Sequence, residues 1–233
     1  MLKYRYVKIS LYRRKLKKIM SNTRRELKNK AKLALRGNWG WAVLMCLINM
    51  IIVAILFGVG YEGTKSYKPL FSQWGIIPAL IGNFIALSLA ISFLKLRDND
   101  KLEKPYVSAF SVFTENRFGS ECINFVMTTI FTFLWSLLLI IPGIIKSYSY
   151  AMTPYIVKDM VASGKQVGAT DGINASKALM NGHKMDLFVF DLSFIGWFLL
   201  GRISVIGMLW VVPYYQTAQA NFYRELAGNQ FLK

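Results

Sequence analysis

The sequence predicts an all-α membrane bundle of six transmembrane helices with cytoplasmic amphipathic helices. Three observations predict it. Apolar runs at 41–57, 74–94, 123–145, 187–200 and 205–222 approach the roughly 20 residues that cross about 30 Å of hydrocarbon. The chain of 233 residues is 54% hydrophobic with a mean hydropathy of +0.35, too apolar for an ordinary soluble domain. Its 29 Lys and Arg residues stand against 12 acidic ones, and most lie in segments on one side of the runs. In a soluble protein a formal charge of +17 would suggest nucleic acid. In a chain this apolar it reads as membrane orientation, with no nucleic acid implied.

Two domain segments follow, a basic disordered extension at 1–22 and a single membrane domain at 23–233. Residues 1–36 carry fourteen Lys or Arg against Glu26 alone. Such an arm is expected to bind anionic lipid head groups at about 1 kcal/mol per basic residue near the surface. It does not read as a cleaved signal, because the first apolar run is too long and too late. Thr23 and Glu26 form a capping box. It opens an amphipathic helix with Leu27, Ala31, Ala34 and Leu35 on one face, stopping at Gly37. Spans at 39–60 and 74–96 follow. Gly82, Ala86 and Ala90 form a small-residue stripe on the second span, which favours close helix packing or lines a substrate path. Asn49, Asn83 and Asn124 are expected to make interhelical hydrogen bonds.

The stretch 121–160 admits one span or two. Pro142-Gly143 suits a helix-hairpin turn, because proline fits a helix start and glycine permits a tight turn. Charge decides between them. With spans at 121–141 and 142–160, only Lys65, Lys68, Lys146 and Arg202 lie outside, so 25 of the 29 basic residues lie inside. With one span, 20 do. The positive-inside rule therefore favours six spans, with both termini cytoplasmic. The polar, Tyr-rich fourth span is expected inside the bundle. A second amphipathic helix runs from Asp171 to Asn181 and stops at Gly182; spans at 184–201 and 205–225 complete the chain.

A weak repeat links these parts. Ala31, Leu35, Gly37 and Asn38 share a register with Ser176, Met180, Gly182 and His183. Ala109, Phe113 and Asn116 fit more loosely. The implied unit is a surface helix followed by a two-span hairpin, three times over. Coincidence between amphipathic patterns is the other reading.

Few residues point to chemistry. Asp191 lies a few residues inside the fifth span, where an ionisable group is a functional candidate. With Gln216 and Gln219 of the sixth span it forms a candidate intramembrane polar site; hydrogen bonding to those glutamines or a tyrosine would make it structural. Lys177, Asn181, Gly182, His183 and Lys184 form a candidate cytoplasmic docking or capping segment. His183, the single histidine, suits a helix cap better than a metal site with Asp159, Asp171 and Asp186. Cys46 and Cys122 have neither CxxC spacing nor a histidine neighbour. No catalytic residue, cofactor or metal is expected.

Several segments together carry a family resemblance: Arg25–Trp39, Ile140–Met152, Ser176–Lys184, Leu192–Trp197, Pro213-Tyr214 and Phe222-Tyr223. With them the chain after about residue 20 resembles the bacterial integral-membrane family called domain of unknown function 975. More distantly, Pro-Gly and the Ser-x-x-Met-x-x-Gly helix resemble the membrane domain found beside some glycerophosphodiester phosphodiesterases. The resemblance implies a location and a topology, with no established chemistry. It implies a start near Met20, which sets residues 1–19 apart as an added basic extension or the product of an upstream start. The expected role is a non-enzymatic accessory, scaffold or permease-like subunit of the bacterial cytoplasmic membrane, with a protein partner at its cytoplasmic face. The rivals are a small-solute or peptide transporter with an intramembrane polar path, and a membrane-bound lipid-modifying enzyme.

Overall fold

A computed structural model of the protein describes residues 24–62, 73–114, 118–138, 140–203 and 205–232. The extension at 1–22 and the capping residue Thr23 lie outside them. Every regular element among the described residues is helical. The order is α1 (Arg24–Leu35), α2 (Trp39–Glu62), α3 (Gln73–Asp98), α4 (Pro105–Ala109), α5 (Ser111–Thr114), α6 (Phe118–Leu138) and α7 (Ile140–Tyr150). Then come α8 (Thr153–Ala162), α9 (Asp171–Leu179), α10 (Lys184–Leu192), α11 (Ile195–Ile203), a 3-10 turn (Val205–Gly207) and α12 (Met208–Ala227).

In chain order the helices fall into three groups. Each unit is a short surface helix followed by a hairpin: α1 with α2/α3, α4 and α5 with α6/α7–α8, α9 with α10–α11/α12. The returning arms meet in the middle. Helix α3 packs on α8 and on α12, and Tyr155 of α8 stacks on Tyr223 of α12 at 5.2 Å between ring centroids. Each surface helix lies against the returning arm of the unit before it. Helices α4 and α5 lie on α3, α9 lies on α8, and α1 reaches α12, where Asn221 donates to the Leu27 carbonyl. The ring of units thus closes from last to first.

The shared register has a structural counterpart. Ala31, Ala109 and Ser176 are each fully buried. Gly37 and Gly182 have φ of +90° and +87°, the left-handed conformation that lets α1 and α9 stop and the chain turn into the next helix. Helices α1 and α2 are bent by 96° at that turn. The middle copy departs. Its helix breaks at Phe110, and Phe113 is exposed where Leu35 and Met180 are buried. Two serines of α3 bind the broken turn: Ser88 Oγ accepts from Val112 N–H, and Ser92 Oγ donates to the Ser108 carbonyl.

Two expectations are corrected. Pro142 and Gly143 are not the hairpin turn; they lie in the first turn of α7, since α6 ends at Leu138 and α7 begins at Ile140. Proline fits there because a first-turn N–H has no partner in its own helix. Gly143 serves packing instead, as a Cβ on it would stand 2.9 Å from Cα of Ser136 on α6. The second correction concerns continuity: 142–160 and 184–201 are not single helices. Pro154 cannot donate and its ring crowds the carbonyl four residues back, and α7 ends at that residue, Tyr150. Helix α10 ends where the Ser193 hydroxyl bonds back to the Phe190 carbonyl. Half-helices of 9 to 11 residues reach only about 14–17 Å each, at 1.5 Å per residue. Among the described residues, one helix is by itself long and apolar enough to cross a membrane, at Phe118–Leu137 of α6; the bent pair α1 and α2 passes together.

Candidate functional site: a charged junction and a polar pocket

Asp191 is half-buried in the last turn of α10. Its Oδ1 accepts a hydrogen bond from the Tyr215 hydroxyl of α12 at 3.0 Å, and Tyr148 of α7 is a second donor. The glutamines expected beside it go elsewhere. Gln219 Oε1 accepts from the Tyr155 hydroxyl at 3.3 Å, and Gln216 Oε1 is buried with no hydrogen-bond partner among the described residues. The sequence therefore identified the helix that answers Asp191, while tyrosines make the bonds.

Helix α9 lies on the bundle through Ile173, Ser176 and Met180, with Lys177 and Asn181 exposed on its outer side. Ser176 is its anchor. The hydroxyl donates to the Ser149 carbonyl at 2.9 Å and accepts from Met152 N–H at 3.2 Å, bridging the break between α7 and α8. Gly172 permits this approach, because a Cβ there would stand 2.5 Å from Cγ2 of Val157. His183 occupies the N-cap position of α10, beside Lys184, and its Nδ1 lies 3.1 Å from the Asp186 carboxylate. Asp171 instead accepts from Gly168 N–H, and Asp159 belongs to a different cluster. Among the described residues no group of three or more His, Cys, Asp or Glu could hold a metal.

That different cluster is the strongest polar feature of the fold. The three returning arms converge on Arg224, which is 6% exposed. Its Nε donates to both oxygens of Asp98 at 3.0 Å, and Nη1 and Nη2 both donate to Asp159, which is fully buried. The Tyr223 hydroxyl donates to Asp159 at 2.6 Å. Arg97 binds Asp98 and Asn221, while Lys158 lies 3.5 Å from Asp159. Burial works to raise the Asp98 pKa, but the guanidinium groups of Arg224 and Arg97 outweigh it and hold that carboxyl below its usual value. Such a planar, bidentate clamp is the arrangement for which arginine is suited. Of these residues the sequence singled out Asp159 alone, and then only as a metal candidate beside His183. The signal is nonetheless present, since Arg97-Asp98, Lys158-Asp159 and Arg224-Glu225 place a basic–acidic pair near the end of each returning arm.

A second charged contact joins α1 to the third hairpin. Lys28 Nζ donates to the Ser193 carbonyl at 2.9 Å and lies 4.2 Å from the centroid of the Phe194 ring. It sits at the break between α10 and α11, where the end of α10 presents free carbonyls. Burial first, and then the charges of Arg24 and Lys32, lower its pKa.

Between α3, α6, α7 and α8 lies a pocket of about 330 Å³. One wall is a polar row on α6: Glu121, Asn124, Thr128 and Thr132, spaced three, four and four residues apart and so on one face. Glu121, Asn124 and Thr153 are buried, while Asn83 and Ala86 on the opposite wall are exposed. The Asn124 amide is fixed by donation to the Ser120 and Gly168 carbonyls. Its Oδ1, with Thr128 Oγ1 and Thr153 Oγ1, is buried without a hydrogen-bond partner among the described residues. Ala86 and Ala90 of the small-residue stripe line this pocket. A count of polar residues by helical position along 121–132 would have exposed the row.

A family model described as "Protein of unknown function (DUF975)" matches residues 20–152 and 124–230. It does not bear on the more distant likeness to the phosphodiesterase-associated membrane domain. No curated protein and no solved structure matches the chain.

Proposed function

The chain belongs to the DUF975 family of proteins of unknown function, and from that premise we propose a non-enzymatic, six-span accessory or scaffold subunit of a bacterial cytoplasmic membrane. The observation that carries this reading is the apolar exterior. In the membrane-length stretch of α6 only 11% is buried, whereas the core helix of a soluble protein is mostly buried. Leu47, Ile51 and Ile55 on α2, Phe133, Leu134 and Leu137 on α6, and Leu199, Leu200 and Ile203 on α11 are all exposed. Large apolar side chains exposed in series along three helices need a partner phase. The partition of Lys and Arg supports cytoplasmic termini. Half-helices are compatible with spanning where their ends are satisfied by protein, as Ser176 and Lys28 do here.

Within this reading α9 is the docking shelf, as its inner face is occupied by the bundle and its outer face carries Lys177 and Asn181. The test is affinity purification of the full chain in mild detergent. Changing both Lys177 and Asn181 to Glu should leave expression and melting temperature intact and remove a copurifying protein. An identical set of copurifying proteins would reject the shelf as a docking face. The Asp191–Tyr215 pair and the pocket favour one rival, a transporter with an intramembrane polar path. A lipid-modifying enzyme has less support, because Asp159 and Asp171 are engaged away from His183.

A further inference from the structure

We propose that the pocket between α3, α6, α7 and α8 binds the carbonyl oxygen of a neutral ester or amide carried on an apolar body, through the hydroxyls of Thr128 and Thr153. These two hydroxyls stand apart from others in the fold. A hydroxyl within a helix commonly donates back to a carbonyl one turn earlier. Thr129, Ser136, Ser149 and Thr217 do so, each to the carbonyl four residues back at 2.8–2.9 Å. Thr128 and Thr153 do not, and both oxygens are buried without a hydrogen-bond partner among the described residues. For Thr153 the carbonyl four residues back, that of Ser149, accepts from Ser176 instead. The Thr153 methyl, not its hydroxyl, faces α9, 3.2 Å from where a Cβ on Gly172 would stand. Both threonines line the same pocket, on helices α6 and α8 that pack together. A buried hydroxyl with no acceptor is costly. A carbonyl oxygen has two lone pairs and answers both hydroxyls at once. Glu121, the charged member of the same row, already has a partner and takes no part.

The rest of the wall suits an apolar body. Leu87, Ala90 and Val157 are aliphatic, and Phe125 adds a ring face. A volume of about 330 Å³ is within the range of small-molecule sites. A carboxylate would lie here without a counter-charge, since both threonines are neutral, and burying an unpaired charge is far more costly than burying an ester. The mouth adds a route. Asn83 and Ala86 are exposed midway along α3, far from its charged end at Arg97-Asp98. In a bilayer that mouth faces sideways, toward lipid. The route rests on the membrane reading; the preference for a neutral acceptor does not.

The test is a melting curve of the full-length protein in dodecyl maltoside, a detergent without an ester, read by tryptophan fluorescence, with three probes of similar size. Methyl 3-phenylpropionate should raise the melting temperature by about 2–4 °C at saturating concentration. Pentylbenzene, an apolar body without the carbonyl, should raise it by less than half as much. The 3-phenylpropionate anion should not raise it, although a chain of net charge +17 attracts anions unspecifically. Thr128→Val and Thr153→Val keep the shape of the side chain and remove the hydroxyl. Each should cut the ester's shift toward that of pentylbenzene. Neither should lower the melting temperature of the unliganded protein, because the hydroxyl removed has no partner to strand. An ester shift no larger than that of pentylbenzene or of the anion overturns the proposal. So does an unliganded variant that melts several degrees lower or fails to fold, since its hydroxyl is then a structural bond. Added phosphatidylglycerol distinguishes the two sources of the carbonyl. If the ester-linked lipid reproduces the shift and blocks the ester probe, while its ether-linked analogue does neither, the carbonyl is that of a membrane lipid. If both lipids are without effect while the ester probe acts, it is that of a free ester or amide. If the two lipids act alike, the pocket holds lipid without binding its carbonyl and the proposal fails.

Discussion

At the scale of single residues, Arg224 carries the most. It holds two carboxylates from two other helices in one guanidinium plane, and both are shielded from solvent. Removing it strands buried charge, which typically costs about 3–5 kcal/mol, far more than an exposed ion pair contributes. Arg224→Ala should therefore lower the melting temperature sharply, while Lys30→Ala, which breaks an exposed pair with Glu225, should barely move it. The junction also sets an acid limit. The Asp98 pKa is lowered in the folded state, so its contribution is complete above its unfolded value near 3.8 and is lost as pH falls through the folded value. Melting temperature measured from pH 7 to pH 3 should thus hold until about pH 4 and then fall, with a smaller fall in Asp98→Asn. Asp191 belongs to the same scale. Asp191→Asn retains a partner for Tyr215 and should fold; Asp191→Leu leaves that hydroxyl unmatched and should cost about 1–3 kcal/mol in a denaturation series.

Among elements, α9 shows how a surface helix is fixed. Ser176 satisfies both sides of the α7–α8 break, and Gly172 lets the backbones approach. Gly172→Ala forces a methyl to within 2.8 Å of Asn124 Oδ1 and closer still to Val157, an overpacking of about 1–3 kcal/mol. Gly182→Val acts differently, since nothing lies within 4 Å of an added Cβ. Its cost is backbone strain at φ +87°, again about 1–3 kcal/mol, and Gly37→Val at φ +90° should match it in the same thermal assay. Helix periodicity showed the buried faces of α1 and α9, because alternation of apolar and polar residues survives whatever the partner. It could not show the breaks at 151–152 and 193–194. Those depend on a proline ring meeting a carbonyl and on side chains arriving from distant helices, which no local pattern records.

For the whole molecule, six-span topology is the prediction that matters. A cytoplasm-active reporter fused after Lys233 should be active and an exterior-active one silent; the reverse would require an odd number of spans. The all-helical bundle was legible from apolar runs of helical length. The convergence of Asp98, Asp159 and Arg224 was not, because they lie 61 and 65 residues apart along the chain and meet only once three hairpins are assembled.

Closure of the ring by α1 against α12 has a consequence for how the chain is made. Helix α1 finds two of its partners, Asn221 and the carbonyl of Ser193, only when the last hairpin is synthesised. Until then Asp98 and Asp159 wait without Arg224 beside them. A nascent chain released before its final helix lacks the arginine that clamps both carboxylates, leaving only Arg97 beside Asp98 and Lys158 beside Asp159. In the finished protein α1 and α12 lock each other in place.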